Sequence, residues 1–513
     1  MAQYDSGFAA TLVSYGIQQD ADCLMNKLRI EQRHATAFQK ASYDLNPLHG
    51  DVPYARRSQF GRPVMYGMAA VLLALKHWSG ERAYRLHSIQ VLFRKPLFAG
   101  EEYDLHVSAQ GRNVRLALSR GPVDYLVISI VADLWHPSTD DAGPSAYAFV
   151  PRCEAAKDPV VDARACDYQI SQDAWAHLRK DFGINPRTMP AGQLATLLWA
   201  SYCVGMEMPG RQALFSEFKA VFADEIHVSP GLSLTLSEVT VDERFQRYSL
   251  TGQGSGVRSF HVAAFKRPPP VDFTLDSMPD LAEGEAVLSG KSVFVSGSTR
   301  GFGAAFARMS ALAGARVALN YRGDEASAIL LRDELRSAGA DAEIFRADMA
   351  VASDVEAMAN AIAASFGPLD VVLDNAAPPI PSLLFAEQSP ADATAFVAHN
   401  MSITANTVYF LAPGMTKSAQ LVHVSSKYLL HPAAGFSHYL AAKSAQAALL
   451  RGIAMERPDI RVVVARLPRI LTDQTNLAFD MDPPHHPGEV AKLLVRALGS
   501  QEVVGNYCEL DLS

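Results

Sequence analysis

The 513-residue chain has little cysteine, no concentrated positive charge and no long apolar run, and each shortage excludes something. Its five cysteines, Cys23, Cys153, Cys166, Cys203 and Cys508, are odd in number, widely scattered and contain no C-x-x-C pair. Neither a disulfide framework nor a zinc knuckle is expected, no metal ligands are assigned, and a reducing compartment fits. Net charge is −8 with no dense Lys/Arg run, so the basic face of a nucleic-acid or anionic-membrane binder is missing. The longest helical apolar run, Met65 to Leu75, stops at Lys76 and is too short to span a bilayer. The first residues, MAQYDSGFAATLV, have no basic region ahead of an apolar one, so no secretory signal is read there and a cytoplasmic location is expected. The rest of the composition is that of a globular protein, 49% hydrophobic and 19% charged, which excludes a largely disordered chain. At about 150 residues per domain the length predicts about three units.

Two stretches read as linkers: Pro137 to Asp162, rich in Pro, Ser, Asp and Gly, and Lys266 to Gly290, which holds Pro268-Pro269-Pro270. They divide the chain into 1–136, 163–265 and 288–513. The first two pieces have the texture of repeats. Each has an apolar helical stretch opened by Pro and closed by Gly, Pro63 to Gly80 and Pro190 to Gly210. Each continues into strands, from Ser88-Ile-Gln-Val-Leu-Phe to Ile128-Ser-Ile-Val-Ala-Asp-Leu-Trp and from Ser216-Glu-Phe-Lys-Ala-Val-Phe to Ser259-Phe-His-Val-Ala-Ala-Phe. A long helix followed by antiparallel strands is an α+β plan in which the sheet buries the helix. The third piece alternates short β-rich runs (Val293, Arg316, Ala342, Val371, Gln420 and Val462 onward) with helical patterns such as Ala304 to Ala313 and Asp354 to Phe366. That alternation predicts an α/β, doubly wound parallel sheet.

In this third piece Ser296-Gly-Ser-Thr-Arg-Gly-Phe-Gly303 follows the first strand and opens a helix. Glycines there let the backbone turn tightly and approach a pyrophosphate at a helix N-terminus. Tyr439 and Lys443 stand four residues apart, on one helix face, and a nearby ammonium favours the phenolate of a tyrosine whose ordinary pKa is about 10. With Asp348, Asp374-Asn-Ala-Ala, Asn400 and Ser426, these motifs make residues 290–513 resemble a short-chain dehydrogenase/reductase. The resemblance implies a Rossmann sheet, Tyr439 as general acid, Ser426 holding a substrate carbonyl, Lys443 on the nicotinamide ribose, and Asn400 supporting a proton-relay water. It places NADP(H) against Gly297, Ser298, Thr299, Arg300, Gly301, Phe302, Gly303, Tyr321, Arg322, Asp348, Met349, Asn375, Ala376, Ala377, Tyr439 and Lys443. Strand two ends Leu319-Asn320-Tyr321-Arg322, with no acid before Asp324. That absence and Arg300 and Arg322 favour a 2′-phosphate over a free ribose hydroxyl. The sequence departs from the family's Asn-Asn-Ala-Gly at Asp374 and Ala377, and from its Pro-Gly at Pro468-Arg469.

Near the other end, Asp44-Leu-Asn46-Pro47-Leu-His49 precedes the first long helix, and Phe60-Gly-Arg-Pro-Val-Met-Tyr-Gly67 follows. A carboxylate and an imidazole around an Asn-Pro turn can converge on one water or hydroxyl. These strings resemble the MaoC-like (R)-specific hydratases and dehydratases of hotdog fold over roughly residues 15–136. The resemblance implies Asp44 and His49 as the acid/base pair with Asn46 nearby, and the Gly67 amide as the group polarising a thioester carbonyl. Tyr66 stands where that family commonly has histidine. The second repeat keeps Asn185-Pro186 without an Asp/His pair and reads as a degenerate hotdog that completes a double-hotdog sheet around an acyl tunnel. Pro483-Pro-His485-His486-Pro reads as a loop over the reductase substrate.

The two resemblances together imply an enzyme that reduces a 3-oxoacyl thioester with NADPH to the (3R)-hydroxyacyl thioester and dehydrates it to the trans-2-enoyl thioester. The alternatives are the reverse, β-oxidation-type sequence, and a largely non-catalytic pathway scaffold. The partner expected is an acyl thioester on coenzyme A or an acyl carrier protein, with neither nucleic acid nor membrane, and a homodimer or higher homo-oligomer is expected from the reductase resemblance.

Overall fold

A computed structural model describes residues 24–136, 149–157, 165–185, 187–227, 229–281, 286–477, 482–500 and 505–512. Most of the expected linker 137–162, together with Cys23 and Pro186, lies outside these residues. Two compact units are present, Met1–Pro269 with Leu477–Phe479, and Pro270–Asn476 with Asp480–Ser513.

The first unit is a single antiparallel sheet of ten strands. These are β1 (Leu24–Arg29), β2 (Tyr84–Phe93), β3 (Glu102–Gln110), β4 (Asn113–Arg120), β5 (Val123–Leu134), β6 (Ala165–Gln169), β7 (Ala213–Phe222), β8 (Gly231–Asp242), β9 (Arg247–Gly254) and β10 (Val257–Lys266). Their order, β1-β3-β4-β5-β2-β7-β10-β9-β8-β6, is two copies of one five-strand pattern joined where β2 pairs antiparallel with β7. Each copy wraps one apolar helix, Gly67–Ser79 or Ala191–Tyr202. The second helix is buried at every position, as a helix that is apolar all round must be. Both helices are shorter than the Pro-to-Gly brackets: Tyr66 is still non-helical, and after Tyr202 the chain widens into a π turn, Cys203–Glu207. Of the unit's strands, the two edges β1 and β6 were not legible: β1 pairs only with β3 and β6 only with β8, and the LMNKLR of β1 has no clean alternation.

The second unit is a seven-stranded sheet in the order β13-β12-β11-β14-β15-β16-β17, with every pair parallel. The strands are β11 (Ser292–Val295), β12 (Arg316–Tyr321), β13 (Ala342–Arg346), β14 (Leu369–Asp374), β15 (Met415–Ser426), β16 (Arg461–Leu467) and β17 (Tyr507–Asp511). Core residues lie in two clusters, one containing the helix Gly301–Leu312 and the other packed by Ile403, Val408 and Leu450. Such a sheet, covered on both faces, is the doubly wound architecture. The strand order reverses between β11 and β14, so their carboxyl ends open the crevice where this architecture takes ligands. Among the described residues no helix is long and apolar enough to cross a membrane.

Candidate active sites

In the first unit Asp44 to His49 form one tight loop. Asn46 caps the short helix Pro47–Gly50, its Oδ1 accepting from the Leu48 amide at 3.0 Å, and Pro47 suits the first helical position because it needs no amide partner. The Asn46 Nδ2 group donates to the carbonyls of Gly205 and Gly210 at 3.2 and 2.9 Å. Both ends of that amide are thus engaged within the fold, and Asn46 pins the loop to the second repeat. Asp44 is 2% exposed. Ser201 Oγ donates to its Oδ2 at 2.7 Å, and the Asn46 N–H donates to its Oδ1 at 3.1 Å. Burial outweighs these bonds and pushes the carboxyl up to about 7. A Cβ on Gly205 would collide with Asp44 Oδ1, so that glycine leaves the space the carboxyl occupies.

His49 Nδ1 sits 2.7 Å from the Val64 carbonyl, which places the proton on Nδ1 and leaves Nε2 as the acceptor of the neutral ring. Burial holds its pKa down at about 4, and the Arg267 guanidinium acts in the same direction. Tyr66 ties the pair together: its ring packs on His49 with centroids 3.9 Å apart, and its hydroxyl donates to the Asp44 carbonyl at 2.7 Å. Gly67 begins the buried helix, where first-turn amides have no acceptor within the helix. A Cβ there would lie 2.5 Å from the Phe93 ring. A carboxyl near half-ionisation at neutral pH and an uncharged imidazole, both joined to Tyr66, are groups suited to moving protons both ways.

The second repeat preserves the turn but not the chemistry. Asn185 Oδ1 accepts from the Arg187 amide at 2.8 Å, as Asn46 does from Leu48. Two residues before Asn185, where the first repeat has Asp44, stands Gly183 with φ 64°. The Lys76 side chain fills the space beside it, with Cε 2.8 Å from where a Cβ would be. Lys76 follows Gly67 at the spacing by which Ser201 follows Gly192, so lysine stands in one half where the Asp44 partner stands in the other. Among the described residues the Asp/His loop is present in the first repeat and lacking in the second.

In the second unit Gly297 and Gly301 adopt left-handed φ values of 62° and 56°, and a Cβ on Gly303 would collide with the Gly297 carbonyl. The loop is held from both sides. Asn320 Oδ1 accepts from the Gly297 amide at 3.0 Å, and Asn375 Nδ2 donates to the Ser296 and Gly297 carbonyls at 3.0 and 3.2 Å. A rigid glycine cradle opening the helix Gly301–Leu312 fits a dinucleotide pyrophosphate. The side chains sort differently from the list of contacts that family resemblance suggests. Ser298 is buried with its hydroxyl on the Asn320 carbonyl at 3.0 Å, and Phe302 and Met349 lie in the core, so these three offer only backbone. Thr299 is half-buried, and Arg300 and Ala377 are exposed. Arg322 pairs with Asp348 at 3.5 Å, and Arg300 with Asp473 at 3.8 Å. Tyr321 donates to Glu325 at 2.9 Å, while Asp324 caps the next helix through the Ser327 amide.

Ser426 ends β15, accepting from the Tyr428 amide at 3.1 Å. Tyr439 and Lys443 share the helix Ser437–Glu456. Burial raises the Tyr439 phenol, and the Ser426 hydroxyl bonded to it pulls it back. Lys443, 5% exposed, donates from Nζ to the Val424 carbonyl at 2.7 Å and lies 6.0 Å from the Tyr439 ring centroid. Burial lowers its pKa to about 8. Asn400 is buried on the helix Pro390–Leu411, its Nδ2 donating to the Phe396 carbonyl at 2.9 Å. The structure therefore brings Ser426, Tyr439 and Lys443 to the carboxyl end of one strand.

Residues 291–482 match the family model for short chain dehydrogenases, and residues 18–129 match the model for MaoC-like domains. An uncharacterized oxidoreductase of Mycobacterium tuberculosis is 31% identical over 216 residues, 41% of this chain and 80% of that protein. The chain is a short-chain dehydrogenase with a MaoC-like domain. The 3-oxoacyl-[acyl-carrier-protein] reductase FabG of Staphylococcus aureus is 29% identical over 196 residues, 37% of this chain and 78% of the relative. A crystal structure of a dehydrogenase/reductase from Sinorhizobium meliloti shares 29% identity over 44% of this chain and 96% of that one, with a TM-score of 0.41.

Within the dehydrogenase, His485 and His486 have structural work. The His485 amide donates to the Arg469 carbonyl at 2.8 Å. His486 caps the helix Pro487–Gly499 and packs edge-on against Phe273. Within the first unit, reading the motifs alone missed Ser201 and Gly205 as parts of the Asp44 site. The signal lay in the repeat itself, since aligning the two helices on Gly67 and Gly192 sets Ser201 against Lys76.

Proposed function

We propose that the chain is a bifunctional acyl-thioester enzyme that reduces a 3-oxoacyl thioester with NADPH to the (3R)-hydroxyacyl thioester and eliminates water to give the trans-2-enoyl thioester. The observation that carries this reading is the coexistence of two chemically complete proton-handling sites, Ser426/Tyr439/Lys443 and Asp44/His49, whose reactions meet at the same β-carbon. The name of the Staphylococcus aureus relative, a 3-oxoacyl reductase, supports the substrate class.

In the reductase site the Ser426 hydroxyl holds the substrate carbonyl oxygen, and the Tyr439 phenol gives that oxygen its proton as negative charge develops on it. The Lys443 ammonium favours the phenolate left behind. Residues 297–303, with Asn375 and Ala376, would hold the nicotinamide dinucleotide, which supplies the hydride when bound. Arg300 and Arg322 are exposed guanidiniums near the loop and at the end of β12, and each suits a 2′-phosphate. In the MaoC-like site one member of the Asp44/His49 pair takes the α-proton of the hydroxyacyl thioester, while the other gives a proton to the departing hydroxyl. The amide of Gly67 steadies the enolate oxygen. The test is mass spectrometry of products from a panel of 3-oxoacyl thioesters with NADPH. Successive hydroxyacyl and enoyl products support the proposal, and absence of any reduced product refutes it.

A further inference from the structure

A buried polar cluster adjoins Asn400 and Lys443, which with Ser426 and Tyr439 make up the tetrad that the dehydrogenase resemblance implies. Asp374 ends β14 and stands in register with His423 on β15; they are 2% and 1% exposed. His423 Nδ1 donates to Asp374 Oδ2 at 2.8 Å. Thr404 Oγ1 donates to the same oxygen at 2.6 Å, while Thr407 Oγ1 lies 3.2 Å from Oδ1 and shares its single proton between that oxygen and the Ile403 carbonyl at 2.9 Å. Thr404 Oγ1 in turn accepts from Gln446 Nε2 at 2.7 Å, and Gln446 Nε2 donates to the Asn400 carbonyl at 3.0 Å. The carboxylate is thus connected through two side chains to the tetrad asparagine, and Gln446 sits one turn beyond Lys443.

An ionised carboxylate so deeply buried is unfavourable unless something compensates it. Asparagine, which the short-chain dehydrogenase pattern carries at this position, would meet similar hydrogen bonds without the charge. His423 does not balance the charge. Its Nε2 is buried with no hydrogen-bond partner among the described residues, so a second proton there would be a buried donor with no acceptor among them, and the ring is neutral. The cation at this stretch of β15 is Lys443, whose Nζ donates to the uncharged Val424 carbonyl, one residue along from His423. The titratable groups acting on this cluster are Asp374 on β14, His423 on β15, and Tyr439 and Lys443 on their helix, with Tyr428 acting on Tyr439. The helix Pro390–Leu411 adds only the two threonine hydroxyls and Asn400.

We propose that Asp374, held by His423, is the buried counter-ion of Lys443 and, through Thr404 and Gln446, the anchor of Asn400. Both are positioning residues that act on the tetrad without touching substrate. Asp374 acts to keep Lys443 protonated, so removing its charge lets the ammonium lose its proton at lower pH.

The direct test is the titration of Lys443 in the full chain labelled with [ε-13C]lysine, its resonance assigned by its loss in Lys443→Arg. In the wild type the midpoint is expected near 8. Asp374→Asn, the residue the family pattern carries, should lower it by at least one pH unit, and His423→Asn by less than half a unit, because the carboxylate remains. An unmoved midpoint in Asp374→Asn, or an equal fall in His423→Asn, overturns the proposal. Should Asp374→Asn fail to fold, [γ-13C]aspartate labelling of the wild type decides: a counter-ion stays ionised to below pH 4, and a midpoint above that refutes it. The titration needs no substrate, so it stands apart from the proposed reaction. A parallel readout is the reduction of acetoacetyl-CoA. The alkaline limb of kcat/KM should move down with the lysine, giving a loss of about fivefold or more at pH 8 for a one-unit fall and little at pH 6. A uniform loss at all pH values would mark a merely structural role and contradict the proposal.

Discussion

Replacing Asp44 by Asn should stabilise the MaoC-like domain above neutral pH while removing its chemistry. The native carboxyl ionises at about 7 rather than 3.8 because it is buried. The unfolded chain has no such constraint, so between pH 4 and 7 the native state binds the extra proton and stability falls as pH rises through that window. A displacement of about three pH units at ~1.4 kcal/mol each sets a ceiling of ~4 kcal/mol at pH 8 to 9. The amide avoids this penalty. It keeps an acceptor for the Asn46 amide and turns its NH2 toward the Ser201 hydroxyl, which accepts instead; imperfect geometry there gives back about 1 kcal/mol. The expected gain is about 2–4 kcal/mol at pH 8.5 and close to zero at pH 5. His49 shows the opposite trend, its pKa depressed to about 4, so it adds stability as pH rises from about 4 to 6.5 in both proteins. That contribution cancels in the difference. Urea unfolding followed by tryptophan fluorescence reads the correct unit, because all four tryptophans, Trp78, Trp135, Trp175 and Trp199, lie in the first one. At a slope of ~3 kcal/mol/M the midpoint of Asp44→Asn should exceed wild type by ~1 M at pH 8.5. A midpoint difference that does not change between pH 5 and 8.5 would refute the argument that burial without a cation sets this carboxyl.

Tyr439→Phe removes the phenol that protonates the nascent alkoxide, and should lower kcat for reduction by at least ~100-fold while hydration of crotonyl-CoA stays within twofold of wild type; equal losses in both assays would contradict the separation of the sites. Gly205→Ala places a methyl against the Asp44 carboxyl, and the displaced acid should reduce hydration about tenfold or more with reduction unchanged, at a stability cost of ~1–3 kcal/mol. Cofactor choice should favour NADPH over NADH in kcat/KM by at least tenfold, and Arg322→Ala should erase most of that ratio; a preference for NADH would instead favour the oxidative direction.

The parts of the molecule that follow from local sequence were legible. The glycine loop, the Tyr439/Lys443 spacing and the Asp44-to-His49 string are each read within a few residues, and the apolar helices at Gly67 and Ala191 follow from composition alone. What escaped the sequence is long-range pairing. Ser201 reaches Asp44 across 157 residues, and Asp374 meets His423 only because β14 and β15 lie side by side in register. Neither serine in an apolar helix nor histidine in a buried strand announces a partner. Ser298, Phe302 and Met349 offer only backbone to a ligand for a related reason: a motif fixes the path of the backbone, while the packing decides which side chains turn inward. The edge strands β1, β6 and β17 went unread because each is paired on one side only and is short, so neither alternation nor a continuous apolar run marks it.

The most direct test of the central claim is a single-pot reaction of the full chain with acetoacetyl-CoA and NADPH, with acyl-CoA products followed by mass spectrometry and chiral analysis. Wild type should form (3R)-hydroxybutyryl-CoA and carry part of it to crotonyl-CoA, whereas Asp44→Asn should stop at the hydroxyacyl product. Wild-type crotonyl-CoA formation that persists undiminished in Asp44→Asn, or a (3S) product, would contradict the account.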